Sequence, residues 1–265
     1  MTLAAAALMA VASAASCSYT SDETPYPGAC APLYPIAWTP PGDSVDVPTD
    51  VIIKVKFNDY PAPDGVRSGA LLLTTGFFWI PGTYGVELID KQATFRPWRP
   101  LVSQLGYTVH LRPAIGSLAG CPGTVAEREF RSGDGPVGVP EPPMATMAEV
   151  QDIFDRRCGG GGCHLDTTAG PGEAGCLAAP AAGLSLCAPQ AWAALVQVPS
   201  RQTAALPLVD SGDSARSYLL RKLLPATADE GPIAGVVGQR EPPGPPLPDA
   251  ELRAVAAWID AGALR

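Results

Sequence analysis

The residues with the most distinctive chemistry are seven cysteines and two histidines in a chain of 265 residues. Cys158, Cys163 and His164 lie close together, with four glycines between the two cysteines. Where two thiols are followed at once by a histidine, thioether attachment of haem places that histidine next to the iron. Glycine tolerates positive φ, so the four glycines can bulge and still let both thiols reach one porphyrin. This segment therefore predicts covalent haem c on Cys158 and Cys163, with His164 as the proximal iron ligand.

Two other interpretations of this segment stay open. Cys158 and Cys163 can form a disulfide in a haem-free protein, or they and His164 can bind zinc together with Cys176 or Cys187. The paired cysteines of zinc sites are usually separated by about two to four residues, and an exported setting favours a disulfide over zinc. These observations place zinc behind the other two interpretations.

The N-terminal residues indicate export. Residues 3–15 form an apolar run that is too short to span a bilayer but typical of a signal peptide. Small residues and then Cys17 follow, which resembles a lipobox and implies lipidation of Cys17; ordinary cleavage that leaves Cys17 free is the alternative. We therefore expect a signal peptide over residues 1–16 and a polar, proline-containing tether over 17–29. The protein is then expected in the periplasm or at the outer membrane or cell surface, where disulfides persist, with membrane contact only through the lipid.

The other cysteines fall into local groups that suggest disulfides. Fifteen pairings of six cysteines are possible, and we expect Cys30–Cys121 and Cys176–Cys187. The first would close a loop of about 90 residues and so restrict the unfolded chain. The second would pin a short insert rich in Gly, Ala and Pro.

Residues 30–135 predict a β-sandwich. Apolar and polar residues alternate over Val51–Phe57 and again over Tyr107–Leu111, and short apolar runs between them are bounded by Gly and Pro. Strands recurring about every 8–12 residues over this length are typical of a sandwich. His110 falls on the polar face of its strand, with no Cys or His near it in sequence, so we expect an ordinary surface residue.

Three segments of this region resemble a bacterial Ig-like domain of the cell-envelope type. They are PPGDSVDVPTDVIIKVKF (Pro40–Phe57), ATFRPWRPLVSQLGYTVHL (Ala93–Leu111) and EREFRSGD (Glu127–Asp134). The resemblance implies a spacer or adhesion module. A Pro/Gly-rich linker, residues 136–145, follows and is expected to behave as a semi-rigid spacer.

Residues 146–265 predict an all-α region. Thr146 and Glu149 form a capping box at the start of a helix that runs into Cys158. Further helices are expected over Gln190–Val198, over Ser214–Leu224 and from Pro248 to Gly262. No alternating β-pattern is present in this region, which favours helices throughout.

The same region resembles a class I c-type cytochrome domain. The matching segments are VQDIFDRRCGGGGCH (Val150–His164), LPLVDSGDSARSYLLRKL (Leu206–Leu223) and PPGPPLPDAELRAVAAWIDAGA (Pro242–Ala263). In that family a methionine usually provides the distal iron ligand, and Glu241 occupies its place here. The resemblance implies a lower reduction potential, or an iron with an open or water-filled sixth position.

The expected protein has two domains, an all-β Ig-like sandwich followed by an all-α cytochrome c-like domain. The expected function is haem binding and one-electron transfer with an unknown redox partner protein, without enzymatic activity and with the Ig-like domain as spacer. The alternatives are a haem-free surface or adhesion protein with a degenerate cytochrome c fold, and a haem peroxidase or ligand sensor. Nucleic acid is excluded as a partner because the net charge is −8 and the chain has no basic run.

Overall fold

The computed structural model describes residues 24–159, 162–166, 175–225 and 232–265. The predicted signal peptide, residues 1–16, and the predicted lipidation site, Cys17, lie outside the described residues. The end of the predicted tether is paired with the second half of the chain. The backbone N–H of Tyr26 donates to the carbonyl of Val236 over 2.7 Å, and the Tyr26 carbonyl accepts from the N–H of Gly235. Residues 24–29 are therefore part of the folded structure.

Nine strands form two sheets in the first half of the chain. The strands are β1 (Pro35–Thr39), β2 (Ser44–Val47), β3 (Ile53–Phe57), β4 (Leu71–Thr75), β5 (Phe78–Trp79), β6 (Gly82–Glu87), β7 (Gln92–Pro97), β8 (Gly106–Leu111) and β9 (Ala126–Ser132). One sheet has the order β1–β3–β7–β6 and the other has the order β2–β9–β8–β4–β5. Neighbouring strands are antiparallel except β2 and β9.

The alternation of apolar and polar residues determines which face of each sheet packs against the core. In β3, Ile53, Val55 and Phe57 are buried, while Lys54 and Lys56 are not. Successive side chains of a strand point to opposite faces, so one face of β3 covers the core. The prediction of a β-sandwich for residues 30–135 is confirmed.

Helices appear briefly in the first half and recur in the second. The helix α1 (Pro63–Gly65) and a wider turn, Val66–Ala70, connect β3 to β4. In the second half, α2 begins after the Thr146 cap, whose side chain accepts from the Glu149 N–H while the Glu149 carboxylate accepts from the Thr146 N–H. The helices there are α2 (Met147–Arg157), α3 (Ala188–Leu195), α4 (Tyr218–Leu223) and α5 (Asp249–Asp260).

The second half is not an all-α cytochrome c-like domain, and that prediction is wrong. Its helices are short, and much of the described chain between them consists of turns, loops and isolated β-bridges such as Val196–Val209 and Pro199–Pro207. The helix expected over Ser214–Leu224 is divided into a turn, Ser214–Arg216, and α4, because Ser217 has an extended backbone. In the bridged loops, Pro199, Pro207 and Pro225 lack a backbone donor and favour extended conformations, so helices do not continue there. The structure as a whole is mainly a β-sandwich.

The two halves are in direct contact. Arg253 of α5 donates two hydrogen bonds of 2.8 Å to the carboxylate of Asp90, between β6 and β7. Arg216 pairs with Asp64 at 2.9 Å, and the Tyr60 hydroxyl donates to the Pro225 carbonyl over 2.6 Å. The linker, expected to be a spacer, therefore does not hold the sandwich apart from the helices.

The Asp90–Arg253 pair predicts a pH-dependent contribution to stability. The hydrogen bonds from Arg253 hold the pKa of Asp90 below its ordinary value of 3.8. The pair therefore stabilises the folded state above the unfolded pKa, and this contribution is lost as pH falls through 3.8 to the lower folded value. We expect Asp90→Asn to lower the free energy of unfolding at neutral pH by about 1 kcal/mol.

Urea denaturation across this pH range measures the effect. The difference between Asp90→Asn and the wild type should shrink below about pH 4. Asp249→Asn is the matched control, because Asp249 pairs with the same arginine but its side chain is 66 % exposed. An equal loss in both variants, or a difference independent of pH, would contradict the role of Asp90.

Candidate functional site

The predicted haem-attachment segment follows the end of α2. Cys158 caps this helix, and its N–H donates to the carbonyl of Phe154 over 2.8 Å. The N–H of His164 donates to the Cys158 carbonyl, and the His164 Nδ1 donates to the Leu184 carbonyl over 2.9 Å. His164 is thereby fixed between α2 and the loop that precedes α3.

The structure brings Cys158, His164 and Glu241 into one neighbourhood. Burial raises the pKa of the Cys158 thiol to about 12, and the negative charges of Glu241, Asp155 and Glu251 add to the shift. Burial also raises the pKa of Glu241, and Lys222, His164 and Arg240 partly offset that rise. A thiol so poorly ionised is a weak nucleophile, because the thiolate is the reactive form.

The cysteines of this segment do not fit a haem group. Attachment needs two free thiols facing one porphyrin, but Cys163 is engaged in a disulfide and only 7 % exposed. Cys158 has a free thiol, but it is partly buried and packs against the apolar core. The large side chains of Phe154 and Trp258 fill the adjoining apolar core. Haem binding and electron transfer are therefore wrong, and so is the peroxidase or sensor alternative, which needs the same haem.

Two other expectations for this segment also change. Cys158 and Cys163 do not form a disulfide with each other, because Cys158 is free. Zinc cannot use Cys176 or Cys187, since these two residues form a disulfide. Within the described ranges, no group of three or more His, Cys, Asp or Glu residues could hold a metal ion.

Two disulfides tie the described chain together. Cys30 is bonded to Cys121 across the sandwich, and Cys176 to Cys187 just before α3. Disulfides persist in oxidising compartments and are rare in the cytosol. The protein is exported. The described part of the chain contains no helix that is long and apolar enough to cross a membrane.

His110 lies in a hydrogen-bonded row across three strands. Its Nε2 is 2.9 Å from the Thr74 hydroxyl on β4, and its Nδ1 is 2.8 Å from a carboxylate oxygen of Glu127 on β9. His110 is directly opposite Glu127 on β9, whereas Thr74 is a diagonal neighbour, two residues along β4 from Leu72, the partner of His110. Neighbours on these strands account for both ring nitrogens, which is consistent with a structural role.

An exposed group of aromatic side chains lies at the edge of the sandwich. The hairpin of β4 and β5 places Phe77, Phe78 and Trp79 at its tip, where they are 100 %, 76 % and 67 % exposed. Trp98 is 70 % exposed, and its backbone N–H donates to the carbonyl of Pro81, two residues after Trp79. We call these four aromatic residues the aromatic patch. Large exposed apolar side chains that lie close together usually mark an interaction site.

Arginines surround the aromatic patch. Arg96 and Arg99 are exposed and flank Trp98 in sequence. The guanidinium of Arg112 lies 5.7 Å from the centre of the Trp79 ring, a cation–π arrangement. Residues 65–86 and 91–126 contain no Asp or Glu, and Glu127, on β9 of the same sheet, is hydrogen-bonded to His110. The patch therefore has arginines beside both of its tryptophans, in space or in sequence, which we call its basic border.

Phe77–Ile80 is one of the short apolar runs, bounded by Gly and Pro, from which the sequence predicts strands. That prediction does not indicate that its side chains are exposed. One sequence feature could have revealed it. The run is bounded by Gly76 and Pro81, and proline near a strand is confined to sheet edges, strand starts or bulges. A short apolar run at an edge has fewer neighbours to cover it than a central strand.

Comparisons with known proteins find solved structures that resemble this chain only at low scores. No protein family and no curated relative matches the chain. The N-terminal part of the bacterial S-layer protein SbsC is 15 % identical, with 43 % of this chain and 25 % of that chain covered and a TM-score of 0.32. CopC from Methylosinus trichosporium OB3b is 12 % identical, with 41 % and 99 % covered and a TM-score of 0.32.

The copper resistance protein PcoC from Escherichia coli is 18 % identical, with 37 % of this chain and 97 % of that chain covered and a TM-score of 0.30. Scores this low carry no argument about the function of this chain. The expected membership of the cytochrome c family is corrected by the second half itself, with its short helices and bridged loops.

Proposed function

We propose that this protein is a haem-free, non-enzymatic cell-envelope protein of the surface or adhesion type. It binds another component of the envelope through the aromatic patch. The observation that carries the proposal is the exposure of Phe77, Phe78, Trp79 and Trp98 on a folded, disulfide-bonded sandwich. Leaving such large apolar side chains in water forgoes roughly 1.5–3 kcal/mol for each, which a binding partner would recover.

The scaffold around the patch supports this role. Next to its turn, the hairpin is held by the Thr75 hydroxyl, which donates to the Gly106 carbonyl over 2.9 Å. The Trp98 indole donates to the Thr83 hydroxyl over 3.1 Å, so its ring is held against β6. A binding surface on strands loses less conformational entropy on binding than one on a flexible loop.

Removing the aromatic rings is expected to abolish envelope binding. We predict that Phe77→Ser/Phe78→Ser/Trp79→Ser weakens binding to washed envelope fragments by at least about tenfold, because the apolar contact area is lost. Binding is measured by sedimentation of the purified, folded protein with the fragments. Since the three side chains are exposed, the thermal unfolding midpoint should change little.

A control removes the same number of exposed apolar side chains elsewhere. Val125→Ser/Val137→Ser/Met144→Ser affects residues that are 68 %, 79 % and 81 % exposed and lie outside the patch. This variant should bind like the wild type. Equal binding by the patch variant, or equal loss in the control, would refute the proposed function.

A further inference from the structure

The aromatic patch has the shape of a protruding wedge. Trp79 pairs with Thr74, Phe78 pairs with Thr75, and β5 is the outer strand of its sheet. Phe78 and Trp79 therefore project to opposite faces of the hairpin, with Phe77 at the turn after Gly76. A flat platform for stacking needs rings that share one face. A wedge with rings on both faces can bury all of its rings at once when it inserts into a fluid lipid bilayer.

The charge around the wedge favours an anionic surface. Arg96, Arg99 and Arg112 form the basic border. The acidic residue of β6, Glu87, lies at the opposite end of that strand from Gly82, which pairs with Pro97 next to Trp98. Each arginine near an anionic bilayer contributes to binding, while tryptophan and basic side chains favour the region of the lipid headgroups. An aromatic tip with a basic border matches both the polar and the apolar layers of such a surface.

We propose that the aromatic patch is a membrane-docking tip that inserts into the interface of a phospholipid bilayer containing anionic lipids. Phe77, Phe78 and Trp79 enter the boundary between headgroups and acyl chains, and Arg96 and Arg99 contact the headgroup phosphates. This inference rests on the proposed function, because it names the envelope component that the same patch binds. It adds a membrane contact that is independent of any lipid on the chain.

Vesicle sedimentation with the purified mature chain, shown by mass spectrometry to carry no lipid, tests the docking tip. The chain should sediment with vesicles of phosphatidylcholine and phosphatidylglycerol in equal parts, and at least about tenfold less with phosphatidylcholine alone. Added salt should weaken binding, since it screens the arginines. The tryptophan emission should shift to shorter wavelength on binding, because Trp79 leaves water.

Two variants separate the two contributions. Phe77→Ser/Phe78→Ser/Trp79→Ser should lose binding to both kinds of vesicle, whereas Arg96→Gln/Arg99→Gln should lose only the preference for phosphatidylglycerol. Arg201→Gln/Arg265→Gln is the charge-matched control, because both arginines are exposed and lie outside the patch. Its binding should equal that of the wild type.

The outcomes distinguish this inference from the proposed function. If the chain binds envelope fragments through the patch but ignores protein-free vesicles, the partner is not lipid and the inference is wrong while the proposed function stands. If it binds neither, both are wrong. If sedimentation velocity shows a dimer that the patch variant abolishes, the patch is a self-association surface, and the inference is likewise overturned.

Discussion

Trp258→Ala is expected to lower the free energy of unfolding by about 3–5 kcal/mol. Trp258 is 1 % exposed, and α5, which carries it, packs against α2 and α4. Its indole N–H donates to the Leu264 carbonyl over 2.8 Å, which fixes the chain end against the helix. The alanine variant would leave a large cavity and an unpaired carbonyl, so both the packing and the hydrogen bond are lost.

Trp98→Ala is the matched control, because it removes the same side chain from an exposed site. Its free energy of unfolding should change by no more than about 0.5–1 kcal/mol, while envelope binding weakens. Chemical denaturation and envelope sedimentation of the two variants should therefore give opposite results. A stable Trp258→Ala variant would mean that the second half is not the closed apolar core described above.

Cys30→Ser/Cys121→Ser is expected to lower the free energy of unfolding by about 4–5 kcal/mol in the chain-entropy account. The two cysteines are 91 residues apart in sequence, so the bond restricts a large loop of the unfolded chain. Cys121 is 1 % exposed and lies against the sandwich core, where a serine hydroxyl needs a new hydrogen-bond partner. The sandwich is therefore expected to depend strongly on this disulfide.

The smaller disulfide provides the comparison. Cys176 and Cys187 are only 11 residues apart, and the same account gives about 3 kcal/mol for Cys176→Ser/Cys187→Ser. Urea denaturation of both variants under non-reducing conditions measures the order of the two effects. A smaller loss from the Cys30–Cys121 variant would contradict the dependence on loop length.

Local patterns in the sequence were sufficient for the elements whose burial follows a simple period. The alternation over β3 and β8 predicts their buried faces because each strand lies on a core. The capping box at Thr146 predicts the start of α2 for a local reason, since its hydrogen bonds join residues three apart. The pairings Cys30–Cys121 and Cys176–Cys187 expected from local grouping are those found in the structure.

Other features depend on contacts that are distant in sequence. The pairing of Asp90 with Arg253 joins residues 163 positions apart, and no local pattern indicates it. The bridged loops of the second half have little alternation of apolar and polar residues. The absence of a β-pattern therefore does not imply that the segment is helical. The aromatic patch was missed because an apolar run carries no information about whether a neighbouring strand covers it.

The Cys158–His164 segment shows why a spacing motif needs its surroundings. Two cysteines and a histidine predict haem only if both thiols are free and face a space that holds a porphyrin. Here one cysteine is engaged in a disulfide and the other is free but partly buried, and its pKa is raised by desolvation and by nearby acidic groups. These properties depend on the packing of α2, α5 and the Glu241 loop, which the motif does not contain.

The central claim is that the second half is a haem-free structural module and that binding belongs to the aromatic patch. The most direct measurement is the visible absorbance spectrum of the protein exported from cells that also produce a cytochrome c maturation system. The account predicts a spectrum without a Soret band and no pyridine haemochrome in the purified protein. A Soret band that remains after denaturation, with haem mapped to Cys158 and Cys163, would contradict it.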